Sequence, residues 1–186
     1  ASRKLRSSAR QTMSNAQKLY ENGFITYMRT DSTHLSDEAI EGARKIVQNS
    51  FGLEFLPKAP KQYKSKVKNI QEAHEAIRPA HKNFESIDQV KKTLGQEIAM
   101  LYDLIWKRTV ASQMKPANLR QTSIIINAKN AEFKATGQVI LFPGYMKVYV
   151  EGKDNPNKDL ANKERVLPIL EKNEIVNCNF LETLGH

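Results

Sequence analysis

Apolar positions along this chain recur with two different periods. Over 9–22, Met13, Ala16, Leu19 and Tyr20 fall at helical spacing, and Gly23 suits the residue just past a helix C-terminus. Residues 24–29, Phe-Ile-Thr-Tyr-Met-Arg, read as a short strand. Ser36 is placed to cap a second helix, and Asp37 and Glu38 would sit in its first turn, where carboxylates meet the positive end of the helix dipole. Ala39, Ile40, Ala43, Ile46 and Val47 make its apolar face and Gly52 ends it. Pro57, Pro60 and a lysine run mark 53–70 as an exposed connection. The stretch Gln-Glu-Ala-His-Glu-Ala-Ile-Arg-Pro, 71–79, has room for two helical turns before Pro79 stops it. Helices at 86–94 and 96–113 follow. The second carries Ile98, Leu101, Tyr102, Ile105 and Thr109 on one side and Trp106 near its middle.

After Pro116 the period changes to that of strands. Residues 122–127, 132–137, 138–142, 145–150, 165–170 and 175–182 are short, rich in β-branched and aromatic residues, and separated by Gly, Asn, Asp and Pro. Residues 152–164 read as a polar loop, and Cys178 falls in a strand pattern that places it in a core. The expected class is α+β: a largely helical part, 1–115, bearing one short strand, then an antiparallel β-rich part, 116–186. There is no internal repeat and no low-complexity segment.

The chain of 186 residues is long enough for a core, and no run approaches the length of a membrane helix. It begins without an apolar leader and without Met, which fits a piece of a longer polypeptide. One cysteine gives neither an intrachain disulfide nor a zinc site and fits a reducing compartment. Charge is the strongest bulk signal, at a formal net of +9. Residues 1–30 hold six basic side chains against one acid, and Lys58, Lys61, Lys64, Lys66 and Lys68 cluster without an acid between them. Clustering of this kind points to a polyanion, nucleic acid first.

Two constellations could carry chemistry. In an extended 24–29, Ile25, Tyr27 and Arg29 would share one face, and Phe24, Thr26 and Met28 the other. A phenol is a weak nucleophile at neutral pH; a neighbouring guanidinium favours its ionised form and can clamp a phosphate through two parallel hydrogen bonds. That pairing is what attack on a phosphodiester requires. The plainer alternative, a half-buried strand tyrosine stacked on an arginine, is favoured by geometry alone. The second constellation is His74, Glu75 and Arg78. On a helix, His74 and Arg78 would share a face and both could donate to phosphate; a histidine at a helix end in a surface pair is the plainer reading. Arg78 stands where a zinc-protease motif needs its second His, so that reading fails. No nucleotide-phosphate loop and no D-x-D pair for Mg²⁺ is present.

Gly-Phe-Ile-Thr-Tyr-Met-Arg-Thr-Asp-Ser-Thr at 23–33, followed by 71–79, resembles the type IA DNA topoisomerases, specifically bacterial topoisomerase I. The segments before and after these motifs resemble the same family, so the similarity runs over nearly the whole chain. The resemblance implies that Tyr27 attacks one DNA strand to form a 5′-phosphotyrosine link, with Arg29 positioning the scissile phosphate. It implies DNA-binding roles for His74, Arg78, Thr30, Asp31 and Ser32. It also implies a winged-helix-like, catabolite-activator-like tyrosine domain over 1–115 and a strand-rich arch segment over 116–186. Mg²⁺ would be used by the full-length enzyme through acids of a toprim domain, with no metal bound by this chain. The remaining expectations are single-stranded DNA as partner, a monomer, no membrane, and action on the cytoplasmic nucleoid. The isolated chain is expected to be inactive, because the toprim acids are not in it. Three rivals stand beside this reading. One is a non-catalytic single-stranded nucleic-acid-binding module with Tyr27 stacked on a base. The second is a tyrosine recombinase, disfavoured because its tyrosine follows its His and Arg in the chain. The third is a structural fragment with no activity.

Overall fold

A computed structural model describes residues 1–63, 75–149 and 164–182. Five helices lie among them: α1 (Ser2–Leu5), α2 (Ala9–Glu21), α3 (Asp37–Phe51), α4 (Ile87–Leu94) and α5 (Gln96–Ser112). Two strands follow, β1 (Asn118–Ala128) and β2 (Ala131–Phe142), with single 3₁₀ turns at Leu53–Phe55 and Gly144–Lys147. The class is α+β, as the two periods of the sequence predict. No helix among the described residues is long and apolar enough to cross a membrane.

Three of the helices, α2, α3 and α4, start at serine caps. The hydroxyls of Ser8, Ser36 and Ser86 accept from the backbone N–H of Gln11, Ala39 and Gln89. One core cluster packs α2 against α4 and α5 through Ala16, Leu19, Val90, Ile98, Ala99, Leu101 and Tyr102, with Ile25 and Met28 added from the chain after α2. A second joins Val47 of α3 to Val110, Ala111, Met114 and Val148. Met13 and Tyr20, expected on the buried stripe of α2, are instead exposed; Asn15 takes the buried place beside Ala16 and Leu19. α3 runs flush against the chain at 82–84. A β-carbon on Gly42 would lie 2.3 Å from the Lys82 carbonyl oxygen. Gly42→Ala is therefore expected to destabilise by about 1–3 kcal/mol despite alanine's better helix propensity, read as a lower unfolding midpoint.

The β-rich expectation is only partly met. Residues 132–137 and 138–142 are one continuous strand, paired antiparallel with β1 from Ala128↔Ala131 out to Asn118↔Phe142. Lys129 turns this hairpin in the left-handed region, at φ +56°. Residues 144–147 form a 3₁₀ turn rather than a strand, and Met146 and Val148 are buried. Residues 165–170 contribute a single bridge, Gln138↔Arg165. Residues 175–182 form no strand, and Cys178 is exposed rather than in a core. The physical reason is visible in the exposures. Val166, Ile169, Ile175, Phe180 and Leu181 have strand-forming side chains, yet no further strand among the described residues pairs with them or covers them.

Candidate active site

The site begins with the way α2 ends. Gly23 takes φ +74°, the Gly23 N–H donates to the Tyr20 carbonyl, and the Phe24 N–H reaches back to Leu19. This is a Schellman closure, with Leu19 and Phe24 packed in the same cluster. It turns the chain sharply, so that residues 24–26 leave the helix end and run beside 76–80. The Thr26 N–H donates to the Arg78 carbonyl at 3.0 Å and the Ala80 N–H to the Phe24 carbonyl at 2.8 Å, around an antiparallel bridge between Ile25 and Pro79. The Thr26 hydroxyl adds a donation to the Ala76 carbonyl at 2.8 Å and accepts from the Arg78 N–H at 3.0 Å.

Two expectations about this region are corrected. Residues 24–29 are not a regular strand. Ile25 and Met28, three apart, are both buried, while Tyr27 and Arg29 are exposed, so Ile25 does not share a face with Tyr27. A single bridge cannot impose alternation beyond itself, and the chain bends away after Thr26 to bury Met28. Tyr27 and Arg29 still both face outward. Residues 75–80 are also not helical. Pro79 biases Arg78 toward extended backbone, and the exposed edge of 24–26 supplies the hydrogen bonds a helix would have made internally. His74 lies outside the described residues.

Arg78 is buried, at 6% exposure, and its guanidinium is fully engaged. Nε and Nη2 donate to the two Glu75 carboxylate oxygens at 2.8 and 2.9 Å. Nη1 donates to the Pro79 and His81 carbonyls, and Nη2 also to the Ser36 hydroxyl. These contacts use the five donors a guanidinium possesses, so in this arrangement Arg78 organises protein rather than presenting a face to phosphate. Glu75 in turn accepts from the Ser36 N–H at 2.7 Å. Burial pushes the Glu75 carboxyl up. Hydrogen bonds from Arg78 and Ser36, with the Arg78 charge, outweigh burial and hold it below the ordinary carboxylate value.

The loop from Tyr27 to Leu35 is thus closed at both ends by one segment. Thr26 is held by Ala76 and Arg78 at its start. Ser36 is held by Glu75 and Arg78 at its end, and the Ala76 N–H donates to the His34 carbonyl. Within the loop, Thr30 accepts from the Ser32 N–H and Ser32 from the His34 N–H, two side-chain turns that set its path. Arg29 and Asp31 are exposed; Thr30 and Ser32 are half-buried. The ring of Tyr27 meets the ring of Tyr20 edge to face, with centroids 5.3 Å apart. Sequence reasoning missed Tyr20, which no local motif marks. Two other tyrosines are ill suited to attack. Tyr102 is fully buried, donates to the Glu85 carbonyl, and burial pushes its phenol well up. Burial likewise raises Tyr63, which donates to the Ser112 carbonyl.

Among the described residues no three His, Cys, Asp or Glu side chains gather where they could hold a metal ion. The loop beside Tyr27 offers one carboxylate, Asp31.

The structure thus presents an exposed phenol and guanidinium two residues apart, on a loop pinned by a distant segment, within a basic chain. Comparison with known proteins makes the family plain: the chain belongs to the DNA topoisomerase family, whose model matches residues 1–186. Two bacterial proteins are among its relatives there. It is 53% identical over 186 residues to DNA topoisomerase 1 of Synechocystis sp., covering all of this chain and 20% of that protein. It is 48% identical over 191 residues to DNA topoisomerase 1 of Streptomyces coelicolor, again covering all of this chain and 20% of the other. The structure of full-length topoisomerase I from Thermotoga maritima superposes with a TM-score of 0.64 at 38% identity, over 81% of this chain and 25% of that one. The chain thus spans about a fifth of the length of the curated relatives it matches.

Proposed function

We propose that this chain is the tyrosine-bearing part of a type IA DNA topoisomerase that cleaves one DNA strand, lets another pass, and reseals the first. The observation that carries the reading is the closed loop that presents Tyr27 and Arg29 outward from a fixed base. The Tyr27 Oη attacks a backbone phosphorus, and a tyrosyl ester to the 5′-phosphate forms as the bond to the 3′ oxygen breaks. The phenolic proton is lost and the leaving oxygen gains one, becoming a 3′-hydroxyl. Resealing is the reverse, so the ester conserves the bond energy and no ATP is consumed. Arg29, exposed two residues on, would clamp the transferring phosphate and stabilise charge developing on it. Thr30 and Ser32 would hold the loop in the shape that DNA meets, with Asp31 on its rim and His74 on phosphate beside the nucleophile. Glu75 and Arg78 fix the base of the loop.

Residues 1–115 would form the tyrosine domain and 116–186 part of the arch that joins it to the rest. Any Mg²⁺ would be held by toprim acids elsewhere in the polypeptide. The protein would act as a monomer on single-stranded stretches of nucleoid DNA in the cytoplasm, with weak salt-sensitive contacts from its basic residues. The test is to trap the adduct and map it. Full-length protein is mixed with a single-stranded oligonucleotide, quenched in denaturant, and digested with nuclease and trypsin. The nucleotide mass is expected on peptide 19–29, and fragmentation should place it on Tyr27 rather than Tyr20. A mass on any other peptide, or none from a preparation that relaxes DNA, contradicts the proposal.

A further inference from the structure

We infer that Tyr20 is a positioning residue for the Tyr27 nucleophile, an inference that rests on the function proposed above. Tyr20 sits in the last turn of α2, a helix anchored in the core by Ala16 and Leu19 one turn and one residue before it. Its carbonyl is also fixed, because it accepts from the Gly23 N–H in the turn that ends the helix. Its side chain therefore projects from rigid backbone. Tyr27, by contrast, lies past the single bridge that holds residues 24–26, where the chain follows no regular ladder.

The two rings meet with centroids 5.3 Å apart and planes at 71°, the edge-to-face geometry that aromatic quadrupoles prefer. Tyr27 is 42% exposed and Tyr20 43%. The contact covers part of each ring and leaves each accessible from another side. A tyrosine has two side-chain torsions, and a neighbouring ring of this kind restricts both. The phenol then starts nearer the orientation needed for in-line attack, and less ordering remains for the chemical step. The contact belongs to the ring of Tyr20, so the expected phenotype follows the ring and not the hydroxyl.

The test uses full-length protein and single-turnover cleavage of a single-stranded oligonucleotide, with the protein-DNA adduct counted after a denaturing quench. Tyr20→Leu is expected to lower the cleavage rate at saturating DNA by roughly two- to tenfold, the range that an aromatic pair commands. The DNA concentration giving half the maximal rate should stay unchanged, and Tyr20→Phe should restore the wild-type rate. Tyr20→Phe should unfold at the wild-type temperature, and Tyr20→Leu within a few degrees of it, the shift that loss of one aromatic pair brings. An unchanged rate in Tyr20→Leu would overturn the inference. So would a raised half-saturating concentration with an unchanged maximal rate, which would mean that Tyr20 touches DNA instead. A Tyr20→Phe variant as slow as Tyr20→Leu would overturn it by assigning the effect to the hydroxyl. Tyr27→Phe runs alongside: an adduct that survives it would remove the nucleophile on which the inference depends, whatever Tyr20 does.

Discussion

Tyr27→Phe in the full-length protein is expected to lower relaxation of negatively supercoiled DNA by roughly 10⁴-fold or more, because no other group replaces a covalent nucleophile. The substitution removes one oxygen and keeps the ring. The contact with Tyr20 therefore survives, and so does the loop base formed by Thr26, Ala76 and Arg78. Single-strand affinity should persist, since it depends on basic side chains and on a ring that is still present. The measurement pairs plasmid relaxation with oligonucleotide binding on the same preparation. Lost relaxation with retained binding is the expected pattern. Retained relaxation would remove Tyr27 from the chemistry, and loss of both would mean that the hydroxyl supports the fold.

Arg78→Ala should cost about 3–5 kcal/mol in the local structure, the penalty for leaving one member of a buried ion pair alone. Glu75 would lose both guanidinium hydrogen bonds, and the Ser36 hydroxyl and the Pro79 and His81 carbonyls would lose a donor. The damage falls on the base of the Tyr27 loop, so amide exchange should speed up at Thr26, Ala76 and Ala80 by orders of magnitude, and cleavage should fail with it. The pair also sets a pH dependence. Glu75 is held below the ordinary carboxylate value when folded, so its ionised form stabilises the fold above that value. The contribution is lost as the pH falls through the depressed folded value. Arg78→Ala should abolish that share of the acid sensitivity. Wild-type exchange at the three amides in Arg78→Ala would show that the ion pair is not what holds the loop.

Much of the helical part was legible in the sequence, for reasons that are local. Ser36 with Asp37 and Glu38 is a cap and a charged first turn, and α3 starts there. Gly23 marks the end of α2 because a Schellman closure needs a left-handed residue. Tyr27 and Arg29 were picked out by type and spacing, and both are exposed on the loop. What could not be read was anything set by contacts across distance. The pairing of 24–26 with 76–80 turned an expected helix into extended chain. The same pairing buried an arginine that spacing had offered to DNA. Tyr20 reads as one more apolar position on a helical stripe until the turn at Gly23 brings Tyr27 back to it. Beyond Pro116, strand-type side chains at 166–181 find no strand to pair with among the described residues, and pattern alone does not reveal that.

The central claim is that Tyr27 becomes covalently joined to a 5′-phosphate. It is tested most directly with a single-stranded oligonucleotide labelled at its 3′ end, mixed with full-length protein and quenched in denaturant. Label should migrate with the wild-type protein on a denaturing gel and be absent from Tyr27→Phe. Label on both proteins, or on neither while the wild type still relaxes DNA, would contradict the account.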